Sequence, residues 1–267
     1  MPVTFEIDNH DGLSVGLITV SRPERRNAID HIALDELHDC VRQAASADLR
    51  AMVLTGAEDQ FCSGADLKEL EDLTFTRALR RALDDLAGLT FPTVAAISGA
   101  CMGLGLQLAV SCDLRLATPD TRFAVPVAKL GLMVDHWTVQ RLALGVGHST
   151  ARWMMLTAQQ VTAERAHELG FVHQLVEAGP DGPGNAVLSD ARHLAGQIAK
   201  LAPLALSGSK LGLDLLEAAP DDVASAGGEL GEPRSYRAAF ERAWGSGDLV
   251  EGRAAFTERR PPTFRGE

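Results

Sequence analysis

Basic side chains are scarce in this sequence. Its 267 residues include 25 Lys and Arg against 36 Asp and Glu, which gives a formal net charge of −11 at pH 7. Proteins that hold nucleic acid or lie on anionic membranes need a basic surface, so neither partner is expected. The same balance argues at first sight against a polyanionic ligand. A local arginine cluster with oriented backbone N–H groups can nevertheless hold a nucleotide in an acidic protein.

Cysteine is also rare, and the spacing of the four cysteines excludes two kinds of site. They form no C-x-x-C pair, and no His lies at the spacing of a zinc ligand, so neither a metal site nor a disulfide framework is predicted. The first twelve residues carry acidic side chains where a secretory signal peptide has basic and then apolar ones. We therefore expect a cytoplasmic protein with buried, reduced thiols at Cys40, Cys62, Cys101 and Cys112.

One segment, Leu86–Cys112, has no charged residue and is long enough to cross a membrane. Its apolar side chains are interrupted by Pro92, Gly99, Gly103 and Gly105, and Asp113 ends it. These interruptions favour a buried strand, a loop and a helix over a membrane span.

Hydrophobic periodicity predicts alternating strands and helices in the first half of the chain and mostly helices in the last third. Asp30 is expected to cap the first helix, and Asp66 with Glu69 fits a capping box that opens another. The predicted strands cover residues 14–20, 51–55, 93–98, 113–117 and 124–127. Other predicted helices cover residues 30–47, 106–111, 136–144, 150–156, 163–169, 186–199, 203–216 and 236–244. We predict an α/β core followed by an α-helical region.

Common nucleotide-binding motifs are missing. Gly103 and Gly105 begin like a dinucleotide fingerprint, but the sixth position is Leu108. The sequence has no phosphate-binding loop of the G-x-x-x-x-G-K-S/T type. GLSVG at residues 12–16 matches G-x-S-x-G, but its serine begins a predicted strand, whereas a hydrolase elbow is a strand-to-helix turn. His31 and His38 share a predicted helix face without further ligands, which is typical of solvated histidines.

Two glycine-containing loops follow predicted strands, FCSGAD at residues 61–66 and SGACMGLGLQLAVSCD at residues 98–113. Each loop places backbone N–H groups at the start of a helix, where they could hold an oxyanion. Two such donors meeting on one thioester carbonyl would stabilise an enolate. The alternative is that both loops are structural turns, which are common before helices.

Seven segments of the sequence carry a resemblance to a known family. They are SRPERRNA (21–28), FCSGADL (61–67), GLGLQLAVSCDLRLA (103–117), KLGL (129–132), VQRL (139–142), LTAQQVTAERAHELGFV (156–172) and DLVEGRAAFTERRPPTF (248–264). Taken in this order, they resemble the enoyl-CoA hydratase/isomerase (crotonase) family, and most closely actinobacterial members that lack the catalytic glutamates. The resemblance implies an α/β fold of the ClpP/crotonase type, a spiral of ββα units at residues 1–200 with a helical trimerisation region at 201–267. A homotrimer or a dimer of trimers is implied.

The resemblance also implies where a CoA thioester binds. The backbone N–H groups of Ala65 and Leu104 match the family's oxyanion donors, although Leu104 replaces a usual glycine. Two alternatives remain open, because Asp66 could be only a helix cap and the arginines of the turn could be solvated charge. Arg259 and Arg260 could add positive charge from the C-terminal region. The positions that match the CoA-binding segment are Arg25, Arg26, Ala28, Ala65, Asp66 and Leu67.

The resemblance breaks down at the catalytic positions. The two glutamates with which hydratases activate water fall on Gln107 and Val127. Glutamine can hydrogen-bond a water but cannot take its proton, and valine can do neither. Because acid–base help contributes about 10²–10⁴-fold per group, standard hydratase activity is not expected.

One carboxylate remains near the expected acyl pocket. Asp135 matches the position at which isomerase and dehalogenase relatives carry a working aspartate, and apolar surroundings could raise its pKa. Alternatively, it caps the helix that begins at His136 by accepting from the N–H of Trp137 or Thr138. His136 and Trp137 replace very small residues and are expected to reshape the acyl pocket.

Three functional hypotheses follow. The first is a protein of lipid metabolism that binds fatty acyl-CoA thioesters with little or no catalysis. The second is an enoyl-CoA isomerase, or another enzyme of enolate chemistry, with Asp135 as the base. The third is a relative with the same fold and a different small ligand. In the first two the CoA thioester is ligand or substrate, and no covalently bound cofactor is expected.

Overall fold

A twisted six-stranded sheet forms the centre of the molecule in the computed structural model, which describes residues 1–66, 73–217 and 233–267. β1 and β2 form an antiparallel hairpin in which Val3 lies opposite Val20. The remaining neighbours pair in parallel, in the order β1-β2-β3-β4-β6-β9. The strands are β1 (Val3–His10), β2 (Leu13–Val20), β3 (Ala51–Gly56), β4 (Thr93–Ile97), β6 (Leu114–Ala117) and β9 (Gln174–Leu175).

A smaller three-stranded sheet lies beside the first. β5 (Ala100–Met102) pairs in parallel with β7 (Arg122–Ala124), which pairs antiparallel with β8 (Val161–Thr162). Two of its short strands follow closely after strands of the main sheet, since only Ser98 and Gly99 separate β4 from β5 and residues 118–121 separate β6 from β7. The second sheet therefore continues the chain's path beyond the edge of the main sheet.

Helices cover the main sheet, and short 3-10 helices at Pro23–Arg25 and Pro126–Leu130 lie near its carboxyl edge. They are α1 (His31–Ser46), α2 (Leu73–Ala87), α3 (Leu104–Ser111), α4 (His136–Val146), α5 (His148–Thr157), α6 (Ala163–Glu168), α7 (Pro183–Ala199), α8 (Pro203–Glu217), α9 (Arg234–Trp244) and α10 (Gly247–Glu258). The chain thus has the mixed α/β architecture that the resemblance implied.

Alternate residues of β3 supply two separate apolar layers. Met52 and Leu54 face the larger core, which α1, α2 and α3 complete. Ala51 and Val53 face the other side, where α7 packs through residues such as Val187 and Ala191. This alternation follows from the two-residue period of a strand, and burial of both faces explains why the whole of β3 is buried.

The uncharged segment Leu86–Cys112 contains β4, β5 and α3, all of them largely buried. No helix within the described residues has the length and apolarity needed to cross a membrane. The predicted strand, loop and helix are therefore confirmed. All four cysteines are buried, as predicted.

Most predicted elements are present with ends shifted by a few residues. The elements that were not predicted are β1, β5, β8, β9, α10 and the two 3-10 helices. The strand expected at 124–127 lies at Arg122–Ala124, because Pro126 cannot donate to a ladder and starts a 3-10 helix instead. Glu69, the second half of the predicted capping box, lies outside the described residues, and α2 is described from Leu73.

The C-terminal helices are attached to the core by polar contacts. Lys210 on α8 donates to Asp113 over 2.8 Å, and Arg50 donates to the carbonyl of Phe264 over 3.1 Å. The predicted boundary between residues 200 and 201 falls between the end of α7 and the start of α8.

Candidate functional site

The two glycine-containing loops singled out in the sequence lie side by side. The N–H of Cys62 donates to the carbonyl of Ala100 over 2.9 Å, and the N–H of Met102 donates back to the carbonyl of Cys62 over 3.1 Å. The N–H of Phe61 also bonds to the carbonyl of Ser98 at 2.8 Å. These main-chain bonds fix the loop at 61–66 against the start of α3.

Gly105 makes this close approach possible. A Cβ at this position would lie 2.2 Å from the carbonyl oxygen of Cys62, a distance that no side chain can accept. Gly103, just before α3, has a φ of 51°, which positions the first turn of the helix. The glycines of this segment therefore serve packing and chain direction rather than a dinucleotide.

The N–H groups of Ala65 and Leu104 are the predicted oxyanion donors. Neither has an acceptor among the residues that the structure describes. Leu104 is the first residue of α3, whose opening N–H groups have no partner within the helix. Both residues line one cavity of about 350 Å³. The structure thus brings two free backbone donors to the same cavity, as oxyanion binding requires.

The walls of this cavity are mainly apolar. α2 contributes Phe75, Leu79 and Leu83, and the region after β7 contributes Pro126 and Leu130 with the residues that follow it. Only two charged side chains line it within the described residues, Arg80 and Asp135. Such a cavity suits an apolar chain attached to a polar head group.

Gln107 and Val127, which are predicted to stand where hydratases carry glutamates, both line this cavity. Gln107 lies on α3 one turn beyond Leu104, and its Nε2 donates to the hydroxyl of Thr138 over 2.8 Å. The structure therefore brings the two altered positions together beside the free N–H groups. Neither side chain can carry a proton to or from a ligand.

Asp135 lines the cavity and also caps α4. Its Oδ1 accepts from the N–H of Thr138 at 3.0 Å, and Arg80 donates to its Oδ2 at 3.2 Å. Burial alone would raise the pKa of Asp135, but the hydrogen bonds from the side chain and backbone of Thr138 and the charge of Arg80 outweigh it. The pKa is therefore lowered, and the expectation of a raised pKa is wrong.

His136 and Trp137 are not among the residues that line the cavity. His136 is exposed, and Trp137 is stacked between two guanidinium groups, with Arg80 3.8 Å and Arg141 4.7 Å from its ring centroid. Trp137 thus contacts the cavity wall through Arg80. Their predicted role in shaping the acyl pocket stays a prediction.

The turn at Arg22–Ala28 lies next to the loop at 61–66. Asn27 is fully buried and holds this turn, since its amide donates to the carbonyls of Ala57 and Gln60 and its Oδ1 accepts from the N–H of Arg22. Ser63 joins the two segments by bonding to the carbonyls of Arg25 and Arg26.

The side chains of Arg25 and Arg26 are exposed and have no carboxylate partner in the described part of the chain. Arg22 in contrast pairs with Asp30 at 2.6 Å and approaches Asp66 to 3.8 Å. Ala65 forms an isolated β-bridge with Ile29, the residue that follows Ala28. Ala28 and Ala65 therefore both lie close to this turn. Leu67 lies outside the described residues.

Within the described residues, no hydrogen bond or ion pair joins Arg259 or Arg260 to this turn. Arg260 is held by Glu251 and Glu258, with its Nη1 2.6 Å from Oε1 of Glu251. Its hydrogen bond, together with that from Thr263, lowers the pKa of Glu251 to about 2. Arg260 therefore stabilises the end of α10 instead.

Sequence reasoning missed Arg80, and it named Thr138 only as a possible backbone donor to Asp135. Thr138 links Gln107 to Asp135 by a hydrogen bond to each. Gln107 and Thr138 are 31 positions apart in the sequence. Nothing in a sequence pattern reports such a contact.

No three side chains of the His, Cys, Asp and Glu types are grouped for a metal ion in the described ranges.

Comparisons with known proteins identify the family of this chain. The family model described as enoyl-CoA hydratase/isomerase matches residues 11–267. A Mycobacterium tuberculosis protein named "Probable enoyl-CoA hydratase echA6" is 39% identical over 255 residues, which cover 93% of this chain and 95% of that protein.

Two solved structures show the same fold over nearly the whole chain. An enoyl-CoA hydratase/carnithine racemase from Magnetospirillum magneticum has a TM-score of 0.87 at 25% identity and covers 100% of this chain and 96% of its own. DspI from Pseudomonas aeruginosa has a TM-score of 0.84 at 30% identity, with 99% and 97% covered.

Proposed function

The chain belongs to the enoyl-CoA hydratase/isomerase family, and from this premise we propose that it binds fatty acyl-CoA thioesters without hydrating them. The observation that carries the proposal is the cavity itself. It retains two free backbone donors, at Ala65 and Leu104, but has an amide and an isopropyl group at the two acid–base positions.

The retained donors account for thioester binding. An acyl-CoA carbonyl oxygen at Ala65 and Leu104 would accept two hydrogen bonds from N–H groups that otherwise have no partner. The adjoining apolar walls would bury the acyl chain, at about 0.8 kcal/mol per buried methylene. Binding therefore needs no group that the chain has lost.

The missing groups account for the loss of hydration. Adding water to a 2-enoyl thioester requires a base that takes a proton from water and an acid that delivers one to carbon. Neither Gln107 nor Val127 can do this, and the loss of both corresponds to about 10⁴–10⁸-fold in rate if the contributions of each group multiply. We expect hydration near the uncatalysed rate.

The CoA nucleotide is proposed to lie at the turn of Arg25 and Arg26. Both guanidinium groups are exposed and lack carboxylate partners in the described residues, and the backbone carbonyls of the two arginines accept hydrogen bonds from Ser63. They provide local positive charge on a protein whose net charge is −11. Ala28, Ala65, Asp66 and Leu67 complete the proposed CoA segment.

Calorimetric titration tests this assignment. Arg25→Ala should weaken the binding of octanoyl-CoA far more than that of octanoyl-pantetheine, which lacks the nucleotide. The matched control is Arg152→Ala, an exposed arginine on α5 that likewise has no ion-pair partner in the described residues. Absence of binding by either thioester at tens of micromolar would contradict the proposed function.

An isomerase is the second candidate, because Asp135 lines the cavity and its lowered pKa keeps it ionised. Its carboxylate is already occupied by Thr138 and Arg80, which favours the capping role. Exchange of solvent deuterium into a 3-enoyl-CoA, abolished in Asp135→Asn, would support the isomerase. No exchange in the unmodified protein would support binding alone.

A further inference from the structure

A second cavity, of about 510 Å³, lies at the other end of the parallel strands from the proposed acyl-CoA cavity. Arg50 and Pro92, which line it, immediately precede β3 and β4. The proposed acyl-CoA cavity is instead lined by Ser63 and Gly103, which come after the same two strands in the chain. Helices α8 and α9 complete the second cavity. The two cavities share no lining residue in the described part of the chain, so they are separate sites.

Three arginines line the second cavity without a carboxylate partner in residues 1–66, 73–217 and 233–267. They are Arg50, Arg242 on α9 and Arg265, and the last two are exposed. Arg50 is half-buried. Its Nη2 donates to the carbonyl of Phe264 over 3.1 Å, whereas its Nη1 is buried with no acceptor within those ranges. One neutral carbonyl therefore compensates the charge of Arg50, and a partly buried charge of this kind is costly unless an anion lies nearby.

The remaining charged side chains of this cavity do not cancel the charge of the arginines. Lys210 already bonds to Asp113 at 2.8 Å. Asp214 lies 3.6 Å from Arg141, so its charge is also opposed. Asp48 is exposed and is the one carboxylate without an ion pair among the described lining residues. The arginines thus leave an excess of two positive charges, on a chain whose net charge is −11.

Apolar side chains form much of the remaining wall. Leu49, Leu89 and Phe91 are buried there, and Leu204 of α8 joins them. Guanidinium groups bind the oxygens of phosphate and carboxylate through paired N–H donors. An apolar wall beside such donors suits a small ligand with an anionic group at one end and an apolar body at the other.

We propose that the second cavity is a binding site for a small organic anion, whose phosphate or carboxylate group pairs with Arg50, Arg242 and Arg265. The two groups share one chemistry, an oxyanion that accepts several charge-assisted hydrogen bonds. The carbonyl of Phe264 orients the guanidinium of Arg50 in advance. Because the proposed acyl-CoA cavity contains none of these residues, the site does not depend on the proposed function.

Calorimetric titration with phenyl phosphate, benzoate and inorganic phosphate tests this proposal. One of the two organic anions should bind at one site per chain, and the tighter of them identifies the anionic group. It should bind at least about 3-fold more tightly than inorganic phosphate, which lacks an apolar body. Arg242→Ala and Arg265→Ala should each weaken its binding about 2- to 5-fold, because each removes an exposed charge. The double variant should weaken it further.

The matched control is Arg152→Ala on α5, an exposed arginine outside both cavities, which should bind the preferred anion as the unmodified protein does. No binding of either organic anion at about 1 mM would overturn the proposal. Unchanged affinity in the folded double variant would do the same, as would binding no tighter than that of inorganic phosphate. Loss of binding in Arg25→Ala alone would place the anion at the proposed CoA turn and would also overturn the assignment.

Discussion

Two roles compete for the carboxylate of Asp135, and its contacts favour one of them. It accepts from Thr138 at the start of α4 and from Arg80 across the cavity mouth, so its lone pairs are largely occupied. A base that removes a proton from carbon needs a lone pair directed at the ligand. The geometry is that of a helix cap.

The capping role predicts a loss of stability in Asp135→Ala. The free energy of unfolding at pH 7 should fall by about 1 kcal/mol, the usual contribution of an N-cap side chain. Chemical denaturation measures it, with Asp35→Ala at an exposed position of α1 as the control. Equal stability of the two variants would contradict the cap.

The pH dependence has a definite sign. The pKa of Asp135 is lower in the folded protein than its ordinary value, so its charge stabilises the fold above about pH 4. This contribution is lost as pH falls through the folded pKa. The stability difference between the unmodified protein and Asp135→Asn should therefore be constant near neutrality and shrink below about pH 4.

Introducing glutamate at both positions tests the prediction that Gln107 and Val127 occupy the acid–base positions of a hydratase. The double variant Gln107→Glu with Val127→Glu should gain hydration of crotonyl-CoA by at least about 10²-fold over the unmodified protein. The control is Gln160→Glu, which adds a carboxylate outside the cavity. No gain in a folded double variant that still binds the thioester would show that these are not the acid–base positions.

At the scale of the secondary-structure elements, the contact between α3 and the loop at 61–66 controls the site. Gly105→Ala would place a methyl group against the carbonyl of Cys62 and push the two proposed oxyanion donors apart. We expect the free energy of unfolding to fall by about 1–3 kcal/mol and acyl-CoA affinity to fall as well. Thermal denaturation and calorimetry measure these effects.

The control for Gly105→Ala is Gly208→Ala on α8. A Cβ there would meet only the methyl group of Ala239, at an ordinary contact distance of 3.8 Å. This variant should be neutral or slightly stabilising, since alanine is the better helix former. Unchanged affinity in Gly105→Ala would mean that the separation of the two donors is not critical.

Local signals in the sequence predicted these elements well. Asp30 caps α1 as expected, because cap, spacing and burial all lie within one stretch of chain. The 3-10 helix at Pro126–Leu130 was missed because the apolar residues before it read as a continuing strand. The Gln107–Thr138 bond and the stacking of Trp137 between two arginines depend on tertiary packing, which periodicity does not report.

At the scale of the whole molecule, large apolar side chains remain exposed on two faces of the single chain. Leu144, Trp153 and Leu156 on α4 and α5 are each more than half exposed, as are Trp244 and Phe256 on α9 and α10. Exposed apolar surface of this extent is typical of protein interfaces. We propose that these faces form the contacts of a homotrimer or a dimer of trimers.

Sedimentation velocity checks the oligomer. The 28.4 kDa chain should sediment as a particle of about 85 kDa, or about 170 kDa for two trimers. Trp153→Asp should shift the distribution towards smaller species, because it places a charge on the proposed interface. A stable monomer of the unmodified protein at micromolar concentration would contradict this proposal.

The net negative charge of the chain reflects its whole surface and does not determine the local charge at the proposed site. The net charge of −11 coexists with two unpaired arginines at the turn beside the oxyanion loop, in the part of the chain that the structure describes. Local charge and backbone dipoles decide whether a nucleotide binds, whereas net charge governs solubility and long-range association. An acidic acyl-CoA-binding protein is therefore physically consistent.

Single-turnover incubation tests the central claim most directly. Crotonyl-CoA would be mixed with an excess of the protein, at concentrations where calorimetry shows it to be bound, and then recovered and separated from 3-hydroxybutyryl-CoA. We predict that the bound thioester is recovered unchanged, with hydration no faster than in buffer. Complete hydration within seconds would contradict the claim that this cavity binds acyl-CoA without adding water to it.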